Sequence, residues 1–107
     1  MISIPAINNA VALEIMKLDK DNVELTAIFS NGEKTTASVN LKKLRQALEG
    51  TDDVPFDGNL KSVAHWNPGN AHFYFEASPK GFDLLVARIE DILEALTELY
   101  PKRFFAL

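Results

Sequence analysis

The chain has 107 residues, a formal net charge of −4 at pH 7 and no cysteine. A chain of that length buries one hydrophobic core without staples, and an apolar content of 47% with 24% charged residues excludes a disordered polymer. The missing thiols exclude disulfides, thiolate metal sites and cysteine nucleophiles, and they fit a reducing compartment.

The opening residues 1–10, MISIPAINNA, lack the basic start and apolar run of a signal peptide. No apolar stretch approaches the roughly 20 residues that span a bilayer. The expectation is a single cytoplasmic domain over residues 1–107 with no membrane contact.

Residues 10–18, AVALEIMKL, alternate in polarity and are rich in strand formers. The following DKDN is turn chemistry, since Asp and Asn bond their own backbone. Residues 23–30, VELTAIFS, alternate again, and Asn31-Gly32 marks a second hairpin leading to a third strand over 33–39. A two-residue turn at Lys20-Asp21 sets Lys17 opposite Glu24 and Leu13 opposite Ile28. A two-residue turn at Asn31-Gly32 sets Phe29 opposite Lys34 and Ala27 opposite Thr36. The polar third strand, with Lys34, Thr35, Thr36 and Ser38, suits a sheet edge.

Asn40 reads as the N-cap of a short helix over 41–49, with Leu41, Leu44 and Leu48 as its apolar stripe and Gly50 as its stop. Lys42, Lys43 and Arg45 form its solvated face. They are the chain's one basic cluster, too small for general nucleic-acid binding. Residues 50–59, GTDDVPFDGN, form a loop. Counted from Asp53 as a calcium loop, position 3 falls on Pro55 and position 12 on Ala64, so the ligand pattern fails.

Residues 60–66 and 71–76 form a further hairpin around Asn-Pro-Gly-Asn. A turn centred on Pro68-Gly69 sets His65 opposite His72, Trp66 opposite Ala71 and Lys61 opposite Glu76. One face then carries Trp66, Phe73, Phe75, Ala64 and Ala71 as core. Ser78 and Pro79 read as the start of a long helix ending near Tyr100, with Phe82, Leu85, Val86, Ile89, Ile92, Leu93 and Leu96 as its apolar side. The fold class expected is α+β, an antiparallel sheet of two meander or hairpin units in the order β-β-β-α-β-β-α. The long C-terminal amphipathic helix packs on one face.

Two constellations carry candidate chemistry. The first is the histidine pair, His65 and His72, which at cross-strand distance could share a transition metal. A catalytic zinc needs three ligands, and with no cysteine the third would have to be a carboxylate or water, Glu76 lying two pairs along on the same face. No nucleophile–base arrangement, phosphate loop or metalloprotease motif accompanies the pair. The sequence thus points away from an enzyme, a cofactor or a resident metal.

The second is the outer face of the long helix, which carries Asp83, Glu90, Asp91, Glu94 and Glu98. Glu90, Glu94 and Glu98 stand one turn apart. Like charges at that spacing cost a few tenths of a kcal/mol per pair. Carboxylates near a helix C-terminus also oppose the macrodipole. The tail beyond Pro101 adds Phe104 and Phe105. The expectation is a small acidic, non-enzymatic binding protein, monomeric or weakly dimeric, whose acidic helix face and aromatic tail meet a basic protein. Bacterial immunity proteins that neutralise a toxin nuclease exemplify such an inhibitor. The alternatives are a self-associating accessory subunit and a small metal-dependent enzyme centred on His65 and His72.

Overall fold

The computed structural model describes residues 1–8, 10–50, 54, 56–65, 69–78 and 85–101, with the backbone alone at His65. The elements run β1 (Ile2–Pro5), β2 (Ala10–Lys17), β3 (Asn22–Phe29), β4 (Lys34–Asn40), α1 (Leu41–Glu49), β5 (Leu60–His65), β6 (Asn70–Phe75), β7 (Leu85–Arg88) and α2 (Ile89–Leu99). The class is α+β. Two antiparallel sheets form, one in the order β1-β2-β3-β4 and one in the order β5-β6-β7. Two strands exceed the sequence expectation, β1 before the first meander and β7 after the second hairpin.

β7 corrects the expected helix over 79–100. Leu85–Arg88 is a strand paired with β6, and the helix begins at Ile89. The apolar spacing of Leu85, Val86 and Ile89 suits a helix, yet Leu85 and Ala87 are the buried pair, in strand alternation. The Ser78 hydroxyl donates back to the Phe75 carbonyl at 2.7 Å. Residues 79–84 lie outside the described residues.

All three expected registers are shifted by one residue, for one reason. Each turn holds an odd number of residues. At the β2–β3 turn the Asp19 carboxylate accepts the Asp21 and Asn22 amides, each at 2.8 Å, and widens the loop. Lys17 therefore faces Val23 and Leu13 faces Ala27, in place of Glu24 and Ile28. At the β3–β4 turn the Phe29 amide donates to the Glu33 carbonyl at 3.0 Å, leaving a three-residue loop closed by Gly32 at φ 87°. Ile28 then faces Lys34 and Ala27 faces Thr35, in place of Phe29–Lys34 and Ala27–Thr36. In the third hairpin His65 faces Ala71 and Ala64 faces His72. The expected register of His65 opposite His72 is thereby overturned, and the expected turn falls on Trp66, Asn67 and Pro68, which lie outside the described residues.

The core follows strand alternation. Val23, Leu25, Ala27 and Phe29 of β3 are buried, as are Leu13 and Ile15 of β2 and Ala71, Phe73 and Phe75 of β6. Ala64, expected on that core face, is exposed instead, because the shifted register gives it His72 as its neighbour. The edge position of β4 agrees with its polarity, and its inward positions Thr35, Ala37 and Val39 are buried. α1 forms as the sequence implies. The Asn40 side chain accepts the Lys43 amide at 3.1 Å, and Gly50 closes the helix in the left-handed region at φ 70°. Leu41, Leu44, Ala47 and Leu48 are its buried side.

Side chains join the two sheets. Asn59 Nδ2 donates to Thr35 Oγ1 at 2.6 Å and to the Thr36 carbonyl at 2.9 Å, while its Oδ1 accepts the Ala77 amide at 2.8 Å. The edge of β4 is thereby tied to the start of β5. At the other end the Ile7 amide donates to the Val86 carbonyl at 2.9 Å, and Asn8 Oδ1 accepts the Val86 amide at 3.2 Å. One cluster of buried side chains takes in both sheets and both helices.

Candidate functional site

The acidic helix face occupies a defined place. α2 starts directly at the end of β7, where the Ile89 amide donates to the Gly69 carbonyl at 2.8 Å. Its N-cap residue Arg88 supplies no side-chain cap. Glu90 and Asp91 in the first turn supply the negative charge that a helix N-terminus favours. Ile92, Ala95 and Leu96 are buried, and the Tyr100 amide closes the helix onto the Leu96 carbonyl at 2.9 Å ahead of Pro101.

With the helix so anchored, Asp91, Glu94, Ala95 and Glu98 form a single stripe at i, i+3, i+4 and i+7. This stripe and β1 enclose an open groove of about 290 Å³, lined on the strand side by Ile2, Ser3, Ile4 and Pro5. Successive strand side chains point to opposite faces. Four consecutive lining residues therefore mean that the groove runs along the open edge of β1.

The structure separates the acids grouped by the sequence. Glu90 stands apart from the groove, paired with Arg88 at 2.9 Å in an exposed ion pair. Asp91, Glu94 and Glu98 converge on the groove and make no ion pair among the described residues. No basic residue occupies the last turn of α2. Asp83, Phe104 and Phe105 lie outside the described residues. Sequence reasoning missed the strand side of the groove. Its signal was the alternation of Ile2 and Ile4, with Pro5 ending the strand on a sheet edge, where proline is tolerated.

The histidines are not cross-strand partners, since His65 pairs with Ala71 and His72 with Ala64. Burial holds the His72 imidazole below its ordinary value, which favours the neutral ring. Among the described residues no three metal-ligating side chains converge. The expected pairing of Lys61 with Glu76 is present at 3.2 Å, reached across a bulge between Leu60 and Ser62.

A smaller depression of about 200 Å³ beside α1 is lined by Ser38, Val39, Asn40, Lys43, Phe56 and Asp57. Of the neighbouring cations, Arg45 pairs with Glu49 at 3.3 Å. Among the described residues no helix is long and apolar enough to cross a membrane. Compared with protein-family models, curated proteins and solved structures, the chain matches none.

Proposed function

We propose that this protein is a small non-enzymatic binding protein whose acidic α2 face docks a basic protein and blocks it, as a bacterial immunity or inhibitor protein does. One observation carries the reading: Asp91, Glu94 and Glu98 line a groove with no cation among the described residues to neutralise them. Helix stability accounts for Asp91 in the first turn but not for Glu94 and Glu98. Glu94 and Glu98 repel one another across one turn, and Glu98 opposes the macrodipole where lysine would complement it. Unpaired charge on a partly enclosed surface steers encounter with an oppositely charged partner. Under this reading the protein acts in the cytoplasm, in keeping with a chain that carries no cysteine.

The test is capture from the native host with the wild type and with the variant Asp91→Asn/Glu94→Gln/Glu98→Gln. The expected partner is net basic, is released by moderate salt, is lost with the triple variant, and loses its own activity at equimolar inhibitor. A partner held equally by wild type and variant, or one whose activity is untouched, would refute the reading.

A further inference from the structure

We infer that the groove takes an extended basic segment of the partner as an added strand on β1, with lysine or arginine at alternate positions reaching the α2 acids. The inference rests on the binding reading above and specifies how the partner is held.

Among the described residues β1 ends its sheet and pairs with β2 alone. Among the described residues no backbone hydrogen bond reaches Ile2–Pro5 from any other element. Among the described residues that edge therefore offers a template for a main-chain ladder. The opposite end of that sheet, β4, is by contrast tied down by Asn59.

Charge selects the occupant. Same-face side chains along a strand recur about every 6.7 Å. One turn of helix, as from Glu94 to Glu98, advances about 6 Å. Two cations two residues apart on an added strand thus match two carboxylates on α2. Ala95, buried between them, leaves room for the approaching chain. A second copy of this protein fits poorly. It would offer Ile2-Ser3-Ile4-Pro5, which holds no cation, and would bring its own acidic helix with it.

The probe is a short capped peptide of alternating lysine and threonine, titrated at low salt into isotopically labelled protein and followed by NMR. Two companion peptides carry N-methyl groups on alternate backbone amides, one set for each edge of the strand. The expected result is salt-sensitive binding with shifts at Ile2, Ser3, Ile4 and along α2, together with slowed amide exchange in β1. One of the two N-methylated peptides should bind at least roughly tenfold more weakly. If both bind as tightly as the parent, or if the parent fails to bind at millimolar concentration, strand addition is wrong. The triple variant separates the two ideas. Undiminished binding of the parent peptide to Asp91→Asn/Glu94→Gln/Glu98→Gln would refute the acidic-face reading itself, whatever the N-methyl peptides do.

Discussion

The phenol of Tyr100 donates a hydrogen bond to the backbone carbonyl of Asn22 at 2.7 Å, joining the end of α2 to the first residue of β3. Its ring is 3% exposed and lies 5.0 Å beneath the Lys17 ammonium. This contact fixes the C-terminal end of the helix that carries the groove acids. Tyr100→Phe should cost about 1 kcal/mol, the net worth of one hydrogen bond. Tyr100→Ala should cost about 3–5 kcal/mol by opening a cavity. Urea denaturation of both variants measures the difference, and equal losses would show that the hydroxyl, not the ring, holds the helix end.

Asn59 is the polar tie between the two sheets. Asn59→Ala removes its side-chain hydrogen bonds to Thr35, Thr36 and Ala77 and leaves the buried Thr35 hydroxyl without the Asn59 donor. The expected cost is about 2–3 kcal/mol. Adding Thr35→Val should recover part of it, because the orphaned hydroxyl goes too. Thermal midpoints of the single and double variants check this.

Phe73 is fully buried on the inner face of β6. Phe73→Ala should lower stability by about 3–5 kcal/mol, whereas a change at the exposed Tyr74 next to it should stay within about 0.5 kcal/mol. Comparable losses at the two positions would place both side chains in the interior and contradict the strand alternation described.

The fold class was legible because strand alternation, Asn31-Gly32, Asn40 and Gly50 each speak locally. The registers were not, because a turn's residue count depends on bonds invisible in composition, such as those from Asp19 to the Asp21 and Asn22 amides. Parity of the apolar positions held the missing information. Leu13 and Ile15 share a face with Val23, Leu25 and Ala27 only if odd positions oppose odd ones, which the ion pair assumed between Lys17 and Glu24 overrode. The acidic stripe was legible in part. Asp91, Glu94 and Glu98 share one side of α2 that lines the groove, whereas Glu90 was grouped with them by spacing alone. β1, the other wall of the groove, gives too short a pattern to announce a strand.

Among the described residues two groups shape the acid side of the stability profile. The Asp19 carboxylate is held below its ordinary 3.8 by the Asp21 amide, and then by the Asn22 side chain. His72 is held below its ordinary 6.5 by burial. In both cases the unfolded chain binds its proton first as pH falls, so stability is present above the ordinary value and is lost below it. Denaturation midpoints should therefore decline in two windows, one beginning near pH 6.5 and one beginning near pH 3.8. His72→Gln should flatten only the upper window and Asp19→Asn only the lower. An upper window that survives His72→Gln would assign it to another group.

The central claim, that Asp91, Glu94 and Glu98 steer a basic protein into the groove, is tested most directly by the association rate with the captured partner as a function of ionic strength. Wild type should associate fast at low salt and slow steeply as salt screens the charges. Asp91→Asn/Glu94→Gln/Glu98→Gln should start about an order of magnitude slower and show a shallow dependence. Glu90→Gln, altered outside the groove, should track the wild type. Superimposable salt dependences for wild type and triple variant would contradict the account.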